Sequence, residues 1–187
     1  MDNTHILNFF YELGQQRYIE HEGWRLIGVN HIESIGEHTA RAAQIGYILA
    51  VMEGYEKPEA VCTMVVFHDI GECRLGDIHK VANRYIQADE LRAVREQTAP
   101  LGKIGEGVFE LVKATEERSS RAGIIANDAD KLELAVCAKE YMEKGYVAAQ
   151  SWIDNISKVL KTDSAKKLLA ELPSIDSTAW WKGLKKI

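Results

Sequence analysis

Two histidines and two aspartates stand out as the residues able to do chemistry. His38 is followed after 30 residues by the adjacent pair His68-Asp69, and Asp130 follows after a further 61. Together they form a mixed nitrogen and oxygen donor set, suited to one divalent cation such as manganese, cobalt, iron, nickel or zinc, with magnesium also admissible. His68-Asp69 closes an apolar run from Val61 to Phe67, where the chain could have stayed apolar, and burying both residues demands partners. Adjacent helical residues point about 100° apart, yet both can reach an ion beside a helix end. Glu72, four residues after His68 and three after Asp69, shares their face. Taken alone, this segment reads more simply as a polar helix terminus, with His68 near the negative end of the helix dipole. His38 taken alone is an exposed first-turn histidine. Asp130 shares a helix face with Leu134, Cys137 and Tyr141, where an unpaired carboxylate would be costly. Asp128 is the competing residue, or an N-cap if the helix starts late, and spacing does not choose between them.

The elements that must position these groups are helical throughout, since strict apolar alternation bounded by turns is missing. The pattern predicts an all-α fold. A first helix spans about 3–19, burying Ile6, Leu7, Phe10, Leu13 and Phe9. Residues 21–35 form a long functional or packed loop. Ser34 and Glu37 have capping-box spacing, so a helix runs from there to about Glu53, with His38 in its first turn. Ala40, Ala42, Ala43 and Gly46 let that helix approach a neighbour closely. Pro58 opens the next helix, which ends at His68-Asp69, and Gly71 and Gly76 punctuate its exit. Asp77 caps a shorter helix beyond. Two surface helices span about 88–117, divided near Pro100 and Gly102. A central helix runs from Ser120 to Lys144 and stops at Gly145. Shorter helices follow at Ala148 to Leu160, Ser164 to Leu172 and Thr178 to Lys185.

The 187 residues carry a net charge of −5, with 46% hydrophobic and 27% charged residues and only 3 prolines. That composition suits one compact domain over residues 1–187, its site core at about 30–145 and its C-terminal helices at about 147–187 packing on that core. It speaks against disorder and repeats. The mild acidity offers no basic stripe for nucleic acid, and the apolar run is far too short for a membrane span. The amino-terminal residues lack a secretory pattern, which makes the cytoplasm the expected compartment. Cys62, Cys73 and Cys137 are far apart and are expected to be reduced and structural.

The ordered set H…HD…D resembles the signature of the HD-domain metal-dependent phosphohydrolases. The segments Glu33-Ser34-Ile35-Gly36-Glu37-His38, His68-Asp69-Ile70-Gly71-Glu72, Gly76-Asp77-Ile78 and Asp130-Lys131-Leu132-Glu133 are similar to the small branch containing the 5′-deoxynucleotidases. The resemblance implies that His38, His68, Asp69 and Asp130 bind one metal, selecting Asp130 over Asp128. It also implies that Glu72 and Asp77 are catalytic, with Glu72 handling the proton, and that the substrate is a deoxyribonucleoside 5′-monophosphate. Trp24 matches the tryptophan that this branch sets beside the nucleotide. Gly23 stands where some relatives have arginine, so Arg25, Arg41 and Lys80 become the candidates for substrate binding, with Arg74 and His79 as further cations. The segment 74–80 also departs from some relatives, leaving open a triphosphate, pyrophosphate or diester substrate, or a non-catalytic nucleotide-binding module. A homodimer is expected from the branch. Trp152, Trp180 and Trp181 read as core or subunit contacts, and His5 and His21 receive no role.

Overall fold

The computed structural model describes residues 2–184. Among them ten α-helices form, no strand is present, and one isolated antiparallel bridge joins Glu20 to Ser34. The helices are α1 (Asn3–Leu13), α2 (Ile35–Met52), α3 (Pro58–Phe67), α4 (Glu72–Leu75), α5 (Glu90–Thr98), α6 (Lys103–Glu116), α7 (Arg121–Glu143), α8 (Gln150–Ile156), α9 (Asp163–Glu171) and α10 (Ala179–Lys182). The all-α expectation holds. Lys185, the last residue of the predicted final helix, lies outside the described residues.

Helices α2, α3 and α7 pack on one another around the main apolar core, which contains Leu49, Val61, Val65, Ile125 and Ala129. Small side chains make this approach possible. A Cβ added at Gly46 would lie 3.2 Å from Val65 Cγ2 and 3.5 Å from the Ala129 methyl group. Because α7 is apolar around much of its circumference, it buries residues from Ala122 to Tyr141 and forms the central element. Gly145 ends it with φ at 103°, in the region that favours glycine.

Three local expectations change. The first helix stops at Leu13, because Gly14 caps it through its N–H to Phe10 and Glu12 carbonyls, and a 3₁₀ turn, Gly14–Arg17, follows. Its buried seam is Ile6, Phe9 and Leu13 against a second core of Ile70, Val94, Val108 and Phe109, which leaves Leu7 and Phe10 more than half exposed. Residues 21–35 contain a 3₁₀ helix, Glu22–Ile27, that drives Trp24 into the main core. Asp77 caps no helix. The turn that follows, Ala82–Arg84, instead has the Ala82 N–H donating to His79 Nδ1.

Asp128 fastens the carboxy-terminal helices onto α7. Its buried carboxylate accepts hydrogen bonds from Lys161 N (2.9 Å), Thr162 N (2.6 Å) and Thr162 Oγ1 (2.8 Å), fixing the residues that lead into α9. Asp128→Ala would strand these donors, for a cost of about 3 kcal/mol. The expected result is a melting temperature lower by roughly 6–12 °C by calorimetry. A shift under about 2 °C would show that water replaces the carboxylate freely.

Candidate metal centre

The capping box decides where His38 points. Ser34 Oγ accepts the Glu37 N–H at 3.2 Å, while the Ser34 N–H donates to Glu37 Oε2 at 2.7 Å. This reciprocal pair starts α2 one turn before His38, whose ring faces α7 and is 1% exposed. The end of α3 supplies His68 and Asp69, and the middle of α7 supplies Asp130. His38 Nε2 lies 3.3 Å from Asp130 Oδ1 and 3.8 Å from Asp69 Oδ2. His68 Nε2 lies 3.1 Å from Asp69 Oδ2 and 3.9 Å from Asp130 Oδ1.

The remaining ring nitrogens fix which tautomers meet there. His68 Nδ1 sits 2.7 Å from the Val65 carbonyl, which can only accept, so Nδ1 carries the proton. His38 Nδ1 faces Glu133 Oε2 at 2.5 Å, and the Arg41 guanidinium grips the other Glu133 oxygen with Nε at 2.7 Å. Both Nε2 atoms therefore turn lone pairs toward two carboxylates. His68 Nε2 is buried with no hydrogen bond among the described residues. Four converging acceptors repel one another unless a cation or protons lie between them, and a mixed nitrogen and oxygen set fits a divalent ion. The same field moves the side-chain pKa values. Burial alone would lower both histidines, but the Asp130 and Glu133 carboxylates raise His38, and Asp69 and Asp130 raise His68. Asp130 shifts well below the usual carboxylate range: burial opposes this, and the Lys131 ammonium and both imidazoles overcome it.

A second group of carboxylates stands beside this centre. Asp69, Glu72 and Glu90 have oxygens within 4.8 Å of one another, and Glu72 Oε2 is buried with no hydrogen-bond partner among the described residues. Burial, followed by the charges of Asp69, Asp77 and Glu90, pushes Glu72 up to about 10. Burial and then Glu116 and Asp69 push Glu90 up to about 7. Burial raises Asp77, opposed by the charge of His21 and by the nearby backbone of Glu22 and Gly23.

These groups line one cavity of about 440 Å³, within the size range of small-molecule sites. His38, His68, Asp69, Glu72, Asp77, Lys80 and Asp130 all border it. Trp24, Arg25 and Arg41, expected from the resemblance to bind substrate, are not among its lining residues. Trp24 is fully buried. Arg25 pairs with Glu22 at 2.7 Å and reaches His79 Nε2, on the cavity rim, at 3.1 Å, and Arg41 is held behind His38 by Glu133 and Glu140. Arg74 is likewise tied to Glu12, away from the cavity, whereas His79 lies on its rim. Asp128, capping the loop before α9, leaves Asp130 as the α7 carboxylate at the centre.

Five contributors escape the sequence pattern. Glu133 lies one turn after Asp130, a spacing that could have flagged it. Lys131 adjoins Asp130 and holds its Oδ2 at 2.8 Å. His21 borders the cavity, its ring 4.7 Å from that of His38. Arg118 also borders the cavity, from the α6–α7 junction, with φ at 49°, and no sequence signal marks it. Trp152 forms part of the wall.

Comparison with known proteins agrees with this geometry. The HD domain model matches residues 13–172. A Dictyostelium discoideum protein named 5′-deoxynucleotidase HDDC2 is 27% identical over 186 residues, covering 91% of this chain and 98% of its own. A structural-genomics crystal structure superposes with a TM-score of 0.80 at 32% identity, over 96% of this chain and 99% of that one. A conserved hypothetical protein from Pyrococcus furiosus shares the fold, with a TM-score of 0.75 at 21% identity over 90% of this chain and 99% of its own. With a family match running from α1 to beyond α9 and the H…HD…D residues gathered at one centre, the chain belongs to the HD-domain family.

Proposed function

We propose that the protein is a metal-dependent phosphomonoesterase that hydrolyses deoxyribonucleoside 5′-monophosphates to deoxynucleoside and orthophosphate. The observation that carries this reading is the convergence of two imidazole lone pairs and two carboxylates on the wall of a nucleotide-sized cavity. The name of the Dictyostelium relative supports the substrate class. His38, His68, Asp69 and Asp130 would hold one divalent ion: manganese, cobalt, iron, nickel, zinc or magnesium. When bound, the ion supplies Lewis-acid polarisation of the phosphoryl group and acidifies water at the site.

The protein's own groups do the rest. In hydrolysis a water oxygen forms a bond to phosphorus, the bond from phosphorus to O5′ breaks, and one proton passes from the water to O5′. Glu72 has the features of the residue that carries this proton: it borders the cavity beside Asp69, and its Oε2 has no hydrogen-bond partner among the described residues. Asp77 borders the same cavity, and a direct catalytic contact from its carboxylate is part of the same proposal. Lys80, Lys131 and Arg118 are the cavity's cations for the phosphate oxygens.

Glu133 has a supporting role that can be measured separately. Its carboxylate fixes the His38 tautomer, so Glu133→Gln is expected to weaken manganese binding roughly 10- to 100-fold in titrations of the chelated protein. Unchanged affinity would remove Glu133 from the site.

The proposal extends to one HD domain across the chain, supported by the packing of α8 and α9 on α7, and to a homodimer, supported by Trp180 and Trp181 at 75% and 44% exposure. It extends also to the cytoplasm, supported by three free cysteines. No helix among the described residues is long and apolar enough to cross a membrane. The function is tested by product identification. Incubation of deoxyadenosine monophosphate with manganese-loaded protein should yield deoxyadenosine and orthophosphate in equal amounts. Turnover confined to nucleoside triphosphates, with release of di- or triphosphate, would overturn the monoesterase reading.

A further inference from the structure

The cavity is chemically divided. One region is ionic, built from the histidines and carboxylates of the metal centre. Another is uncharged: Leu26, Leu134 and Ile78 contribute apolar surface, and α8 adds Ser151, Trp152 and Asn155. These three residues lie three or four positions apart or adjacent on one exposed side of α8, while Ile153 and Ile156 anchor its other side in the core.

Trp152 is held before any ligand arrives. Trp24, fully buried, stacks on it at 4.9 Å between centroids, with 27° between the ring planes. Trp24 is in turn fixed by its Nε1–H to Glu33 Oε1 at 3.3 Å and by the edge of Tyr141 at 5.0 Å. Gly23 packs beside the indole, a Cβ there lying 3.7 Å from both Cζ2 and Nε1 of Trp152. The Trp152 N–H makes no hydrogen bond among the described residues, and the Asn155 carboxamide is engaged only through Oδ1, by Lys158 at 3.2 Å. A rigid aromatic plate with neutral hydrogen-bonding neighbours, in the same cavity as an ionic centre, suits a molecule that carries both a flat uncharged base and a phosphate.

We propose that Trp152 is the stacking platform for the nucleobase, with Ser151 and Asn155 beside it as contacts for the base edge and Trp24 as the residue that holds the plate in position. The proposal rests on the nucleotide reading of the cavity. It also accounts for Trp24 lying near the nucleotide site without bordering it. Stacking favours any base, because every base offers a π-face, so discrimination among bases would be weak and would come from Asn155.

The test compares deoxyadenosine monophosphate with 2-deoxyribose 5-phosphate, which has the same sugar and phosphate but no base. Both are titrated calorimetrically into manganese-loaded proteins with Trp152 intact, Trp152→Leu or Trp152→Phe, each carrying Glu72→Gln so that turnover does not consume the ligand during the titration, and phosphate release is read separately in the parent proteins. Trp152→Leu is expected to weaken nucleotide binding roughly 5- to 150-fold and to leave sugar phosphate binding within about twofold. Trp152→Phe, which keeps an aromatic plate, should recover most of the loss and serves if the leucine variant does not fold. A metal-free readout accompanies this: deoxyadenosine should quench the tryptophan fluorescence of chelator-treated wild-type protein and fail to do so in Trp152→Phe. Equal weakening of both ligands, no weakening of either, or protein with Trp152 intact that does not distinguish the two would overturn the platform. Base-dependent binding without any phosphate release would sustain it and overturn the phosphohydrolase reading instead.

Discussion

His68→Ala is expected to lose its divalent ion and, with it, roughly four orders of magnitude or more in kcat/KM, the scale on which an indispensable single group acts in other enzymes. The reason lies in the wiring of the ring. Val65 fixes the proton on Nδ1, so Nε2 can only accept, and among the described residues nothing donates to it. Removing it takes away one of the two imidazole ligands and leaves His38 alone to share the ion with Asp69 and Asp130. A ligand that binds only the folded state raises thermal stability, so manganese should raise the melting temperature of chelated wild-type protein and leave that of His68→Ala unmoved. Asp69→Ala should behave likewise. Retention of one equivalent of metal by both variants would sink the ligand assignment, whatever the effect on turnover.

Glu72→Gln separates the proton from the ion. Glutamine keeps the shape of the side chain and removes its capacity to take up and release a proton. Because Glu72 lies on α4 beside the centre and is outside the four-residue set, metal content should stay at one equivalent. The expected kinetic result is a fall in kcat of roughly 10²- to 10⁴-fold with KM changed by little, the signature of lost acid–base assistance. Wild-type turnover in Glu72→Gln would take Glu72 out of the chemistry. A variant that loses its metal would recast Glu72 as a ligand.

What could be read from the amino-acid order was whatever rests on local rules. The capping box at Ser34 and Glu37, the proline opening α3, the split at Pro100 and Gly102 and the stop at Gly145 all reappear where the sequence puts them, since each is a property of a few consecutive residues. The order H…HD…D was legible as a family resemblance. That these residues meet follows from the packing of α2, α3 and α7, which spacing alone could not give.

The placements that the sequence did not show are those that tertiary contacts decide. Arg41, three residues after His38, is near the centre in sequence, but α2 turns it to the back, where Glu133 and Glu140 claim its donors. Trp24 was expected beside the ligand, yet the 3₁₀ helix sinks it beneath Trp152, a residue more than a hundred positions away. His21 seemed isolated because its partners, His38 and Glu33, come from the other side of the loop. Leu7 and Phe10 are exposed because the small second core meets only one seam of α1.

The most direct test of the central claim is phosphate release from a panel of deoxy- and ribonucleoside 5′-monophosphates. The protein is stripped of metal with chelator and resupplied separately with manganese, cobalt, magnesium, nickel or zinc. The predicted result is no release from the stripped protein and restored hydrolysis of the deoxynucleotides with at least one transition metal, exceeding that of the ribonucleotides. Hydrolysis that persists after chelation, or silence across the whole panel with a full equivalent of metal bound, would contradict it.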